Sequence, residues 1–144
     1  MLFRDHSCSV GALPQKKQLM YLFKHSITIN KYESSMRVLH ITSTFFPDSN
    51  GGIEEVIRQI CFNSKNFGVE SRVFTLSDNP NPEIFIKEGI KVIRANKNFE
   101  IASSGFSFNA FLKFKKQVEW ADIIHYHFPW PFADLLHLFC QVNK

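Results

Sequence analysis

The chain has 144 residues, 44% hydrophobic and 15% aromatic, which is enough apolar material for the core of one globular domain. Its formal charge of +4 is concentrated ahead of Met36, where Arg4, Lys16, Lys17, Lys24 and Lys31 are balanced only by Asp5 and Glu33. The remainder is close to neutral, which argues against a nucleic-acid-binding surface.

Residues 1–35 mix polar and apolar side chains, contain the breakers Gly11 and Pro14, and keep no sustained period, so a poorly ordered segment is expected. Two accounts stand: a true extension, or translated sequence ahead of a natural start at Met36. The second is favoured because a buried-strand pattern begins directly after that methionine. The segment has no continuous apolar centre of a secretory signal, and no run reaches the roughly 18 apolar residues of a spanning helix. Cys8, Cys61 and Cys140 are odd in number and widely spaced, which suggests neither a disulfide framework nor a zinc site and fits a reducing cytoplasm.

Val38, Leu39 and Ile41 read as a strand covered on both faces, followed by a long loop and the pair Gly51-Gly52. Ile53, Val56, Ile57, Ile60 and Cys61 then fall on one helical face over residues 52–66, with Asn50 or Ser49 as cap and Glu54 and Glu55 suited to the helix dipole. Residues 71–76 form a second strand, Asn79-Pro80-Asn81-Pro82 a loop, and residues 89–94 a short third strand. Residues 107–121 return to helical spacing through Phe111, Phe114, Val118 and Ala121, and residues 122–127 form a fourth strand. Pro129-Trp130-Pro131 ends it, and Phe132, Leu135, Leu136, Leu138 and Phe139 make an apolar helix with Pro131 at its start. This order predicts an α/β, Rossmann-like fold: a mainly parallel open sheet with helices on both faces. Four strands leave such a sheet incomplete, so an exposed edge is expected.

Ligands collect at the carboxyl ends of strands in open parallel sheets. At the first strand, Gly51 and Gly52 either let a phosphate or sugar approach bare helix N–H groups or serve turn geometry alone. No Gly-x-Gly-x-x-Gly is present, so a dinucleotide fingerprint is not supported. At the fourth strand, His125 and His127 share a face and could ligate one metal, but no third ligand is evident and no metal is expected. His127, last on the strand, is placed to hydrogen-bond a substrate hydroxyl or developing charge, while His125, one pleat deeper, reads as a satisfied interior residue. Trp130 either stacks on a sugar face or packs under a loop. The helix between Phe111 and Lys116 sets aromatics beside lysines, the pattern of a peripheral membrane contact or of a core helix with a solvated side.

Taken together, the strand after Met36, Phe45-Phe46-Pro47, Gly51-Gly52-Ile53-Glu54 and Asp122-Ile123-Ile124-His125-Tyr126-His127-Phe128-Pro129-Trp130 resemble the amino-terminal domain of family 4 glycosyltransferases. These are retaining, nucleotide-sugar-dependent enzymes of GT-B architecture, and the second segment is similar to transferases that build bacterial surface polysaccharides such as lipopolysaccharide. The resemblance covers residues 36–144. It implies that Gly51 and Gly52 approach donor phosphate and acceptor, with Glu54 and Trp130 as further substrate-binding candidates. It implies that His127 contacts the transferred sugar at the reaction centre. The substrates it implies are a nucleotide-sugar and a glycan or lipid-linked acceptor, with no cofactor, at the cytoplasmic face of the membrane. Family members continue into a second domain that holds the nucleotide, with nothing comparable here, so a fragment inactive alone is expected. The alternative is a non-catalytic Rossmann-like binding module whose open edge takes a separately encoded carboxy-terminal half. A small oxidoreductase is a weaker reading, since only Leu76-Ser77-Asp78 approaches the acidic end of a second strand.

Overall fold

The computed structural model describes residues 35–101, 103–140 and 142. The expectations for residues 1–34, a poorly ordered extension or sequence ahead of a natural start, lie outside the described residues. Strand β1 (Arg37–Ile41) leads through a loop to helix α1 (Gly52–Ser64) and a 3-10 turn (Lys65–Phe67). Strands β2 (Glu70–Ser77), β3 (Ile84–Lys87), β4 (Ile90–Asn96), β5 (Phe99–Ile101) and β6 (Ser104–Phe106) follow. Helix α2 (Ala110–Trp120), strand β7 (Ile123–Tyr126) and helix α3 (Pro131–Phe139) complete the order.

Five strands form one sheet in the order β3-β4-β2-β1-β7, parallel except for the antiparallel β3–β4 pair. The expected α/β sheet is present, with one more strand than the sequence pattern announces and a separate β5–β6 hairpin. Strand β3 escapes the pattern because it is only four residues long and leaves Ile84 and Ile86 exposed. It is joined to β4 by a two-residue turn in which Glu88 and Gly89 both have positive φ (53° and 83°). Two left-handed residues give the turn a twist that matches the strands, and Glu88 stands where Asn or Asp would have advertised it.

The pleat divides the core in two. Leu39, Ile41, Phe74, Leu76, Ile93 and Ala95 meet Phe114 and Val118 of α2 and Phe132 and Leu136 of α3 on one face. Val73, Ile90 and Val92 meet Ile57 and Cys61 of α1, with Phe45 and Phe46 of the first loop, on the other. Helices therefore cover both faces, as the strand pattern predicts. Phe114 is fully buried against Phe74, and its truncation to Ala would cost about 3–5 kcal/mol.

Helix α1 is rotated from the face that its apolar spacing suggests. Glu54, Ile57 and Cys61 point inward, while Ile53, Val56 and Ile60 remain 43%, 53% and 37% exposed. The physical reason is at its first turn, where the Glu54 carboxylate is tied into the preceding loop. Its cap is Gly51 in an extended conformation, in place of the expected Asn50 or Ser49. Among the described residues the sheet ends at β3 on one side and at β7 on the other. Arg37 and Asp122 form a fork at 2.7 Å where β1 and β7 begin, but both side chains are largely solvated and the pair adds little.

Candidate functional site at the carboxyl ends of β1 and β7

Strands β1 and β7 run parallel with His40 opposite His125, so these two side chains share a face. It is the face opposite Leu39 and Ile41, on the α1 side of the sheet. His127 comes two residues after His125, and its N–H donates to the Ile41 carbonyl at 2.9 Å, extending the ladder by one step. Three imidazoles thus collect where two strands end. Their ring centroids are 5.2 Å apart for His40–His125, 5.4 Å for His40–His127 and 4.2 Å for His125–His127. His40 Nδ1 lies 3.2 Å from His127 Nε2.

The burial order differs from the sequence expectation. His40 is the interior residue, 1% exposed, His127 is half-buried, and His125 is exposed rather than satisfied in the interior. The strand pattern puts His125 one pleat deeper, but β7 ends the sheet, so depth along the strand brings no burial. Burial, reinforced by the neighbouring imidazoles His127 and His125, pushes His40 down to about 3. Burial, with His125 adding, pushes His127 down to about 4. Both rings are therefore neutral near pH 7, and a neutral pair in contact shares one hydrogen: one nitrogen donates and the other accepts. His127 keeps its second ring nitrogen for another partner.

The loop from β1 to α1 is braced from within. Glu54 is 4% exposed, Thr44 Oγ1 donates to its Oε1 at 2.9 Å, and the Gly51 N–H donates to its Oε2 at 3.1 Å. A Cβ at position 51 would stand 2.9 Å from Glu54 Oε2, so a side chain there would displace the carboxylate from its present position. Glu54 thus braces the loop, and the Gly51 N–H, expected to meet a phosphate, is engaged by its carboxylate. Gly52 is different: nothing lies within 4 Å of a Cβ built on it, so that side of the helix start is open.

Trp130 also departs from the sugar-stacking expectation. Its ring is 1% exposed, packs on Phe132, and donates from Nε1 to the Gly105 carbonyl at 3.2 Å. A ring so enclosed has no free face for a sugar, and the packing alternative is what the fold uses. In the helix between Phe111 and Lys116, Phe114 is buried and Phe111 packs edge-on against Phe132 and Phe139. Its exposed apolar groups are Leu112 and the preceding Phe108, 74% and 72% exposed, beside Lys115 and Lys116.

Two features escaped the sequence pattern. His40 sits inside the first strand, 87 positions before His127, and only the parallel pairing of β1 with β7 reveals its role. The second is a cleft of about 410 Å³ at the carboxyl ends of the strands, lined by Pro47, Asp48, Asn79, Asn81, Pro82, Phe85 and Arg94. Arg94 is 3% exposed, paired with Asp48 at 3.1 Å and donating to the Pro82 carbonyl at 2.8 Å, so it ties two loops to β4. A lone arginine closing an apolar strand was the available signal. Another cleft, of about 270 Å³, lies around Cys61, Lys65 and Gly89, where ligands of parallel sheets do not usually collect.

The chain is similar to two characterised sugar transferases. It is 43% identical over 109 residues to the D-rhamnosyltransferase WbpZ of Pseudomonas aeruginosa, covering 76% of this chain and 29% of that protein. It is 45% identical over 103 residues to the O-antigen chain mannosyltransferase C of Escherichia coli, covering 72% of this chain and 28% of that protein. The chain thus spans less than a third of the length of either relative. No protein-family description matches it, and no solved structure does.

Proposed function

We propose that this chain forms the acceptor-side part of a retaining, nucleotide-sugar-dependent glycosyltransferase that works in bacterial surface-polysaccharide synthesis. The observation that carries the reading is the 43% and 45% identity to two sugar transferases named for D-rhamnose and mannose. Sugar moves from a nucleotide-sugar donor to a glycan or lipid-linked acceptor, and no cofactor takes part. His127 supports the assignment chemically, because a neutral, half-buried imidazole held by His40 offers a preorganised group to a sugar hydroxyl or to charge developing in transfer. Gly52 leaves room for substrate at the helix start, while Glu54 and Trp130 shape the loops without touching substrate. The GT-B partner domain supplies the nucleotide site. The protein works at the cytoplasmic face of the membrane, which it meets through Phe108 and Leu112 with Lys115 and Lys116 toward the headgroups.

A chimera tests the reading. Residues 36–140 replace the corresponding segment of the Escherichia coli mannosyltransferase, and mannosyl transfer is measured for the chimera and for its His127→Ala variant. The expected result is an active chimera and a loss of about 100-fold or more in kcat on removal of the imidazole. A folded chimera without transfer, or a His127→Ala variant that turns over unchanged, would overturn the assignment.

A further inference from the structure

Among the described residues, one group of His, Cys, Asp or Glu side chains converges closely enough to hold a single ion: His40, His125 and His127, whose ligand atoms all lie within 4.8 Å of one another. We infer that these three imidazoles form a binding site for one borderline transition-metal cation, Zn²⁺ by preference, with a further coordination position open to an oxygen donor from outside.

The geometry argues for it in three ways. Two nitrogens bound to one zinc at 2.0–2.1 Å in a tetrahedral arrangement stand about 3.3 Å apart, and His40 Nδ1 and His127 Nε2 already stand at 3.2 Å. Second, the strands impose the convergence: His40 and His125 are register partners on adjacent parallel strands, and His127 is tied to the Ile41 carbonyl one step on. Third, His125 is exposed, so its ring is free to turn toward the other two without disturbing the core.

Binding is balanced without loss of a proton from His40 or His127. The ion takes the place of the hydrogen shared between His40 Nδ1 and His127 Nε2, and the proton moves within the His40 ring to Nε2, a buried atom that makes no hydrogen bond among the described residues. Three imidazole ligands favour Zn²⁺, Co²⁺, Ni²⁺ or Cu²⁺ over Mg²⁺ and Ca²⁺, which prefer oxygen ligands. With three protein ligands the ion keeps a position for water or a ligand oxygen.

Calorimetric titration of the 144-residue chain with Zn²⁺, repeated against a chromophoric chelator, reads the binding directly, and Co²⁺ substitution reads the coordination through its visible absorption. The expected result is one ion per chain. His125→Ala, a change at an exposed position, weakens binding about tenfold or more, and His125→Ala with His127→Ala removes it. His137→Ala, which alters an imidazole bonded to the Tyr126 hydroxyl, leaves binding unchanged. Circular dichroism shows the variants folded. Absence of one-to-one uptake, or uptake that survives the double substitution and so belongs to other histidines or cysteines, overturns the inference. Metal uptake is measured without any sugar substrate, so its failure leaves the transfer reading untouched, and failure of the chimera leaves the metal site untouched.

Discussion

Glu54 concentrates more of the site's architecture than any other single side chain. Burial alone would raise its pKa, but hydrogen bonds from Ser49, its own backbone, Thr44 and the Gly51 N–H outweigh burial and hold it below the usual 4.5. The carboxylate is therefore ionised and fully engaged, at the helix end where negative charge is favoured. Replacing it with Gln leaves the shape and removes the charge-assisted bonds, so Glu54→Gln is expected to lower stability by about 1–3 kcal/mol at pH 7. The sign of the pH effect follows from the depressed value. The contribution is complete above 4.5 and is lost as pH falls through the lower value of the folded state. Thermal melts of parent and variant from pH 7 to pH 3 should therefore converge below about 4.5; a constant gap would mean that the charge plays no part. The presence of an acid in the first helical turn was legible from the sequence, because the dipole favours it. Its burial was not, since that depends on Thr44 and Gly51 folding back around it.

At the scale of elements, local periodicity located all three helices but did not set their rotation. Ile53, Val56, Ile57, Ile60 and Cys61 share a face broader than α1 can bury, and the Glu54 anchor selects the half that carries Ile57 and Cys61. In α2 the same spacing matches the burial of Phe114 and Val118. The apolar groups left for a membrane are Phe108 and Leu112, not the aromatic pair within the helix. Co-sedimentation with vesicles rich in anionic lipid should accordingly fall several-fold for Phe108→Ser with Leu112→Ser, with stability changed by no more than about 0.5 kcal/mol each. Binding unaffected by the pair would remove this helix from the proposed membrane contact. Strand β3 and the β5–β6 hairpin left weak traces in the sequence because they are short and much of their surface faces solvent.

For the whole molecule, the strand order sets a gradient of stability. Strand β2 lies between β4 and β1 and has five consecutive buried residues, whereas β3 and β7 end the sheet and the β5–β6 hairpin stands apart. Amide hydrogen exchange should be slowest in β2 and β1, approaching the global unfolding free energy, and much faster in β3 and the hairpin. Protection of β7 equal to that of β2 would indicate that its free edge is covered by another strand. The site lies on the less buried side of this gradient: His125 stands on an edge strand, and His127 just beyond it.

The sequence by itself determined the layered α/β class, the helices and the principal parallel strands, because hydrophobic period and glycine or proline punctuation are local properties of the chain. It also marked Gly52, at a helix start, and His127, at a strand end, as candidates. Only the tertiary structure decided which neighbours these residues meet. Parallel pairing of β1 with β7 carries His40 across 87 positions to His127. Packing encloses Trp130 beneath β6, and the returning carboxylate of Glu54 occupies the N–H of Gly51. These are contacts between segments far apart in the chain or folded back on themselves, and a one-dimensional period has no means of encoding which partner stands across the sheet.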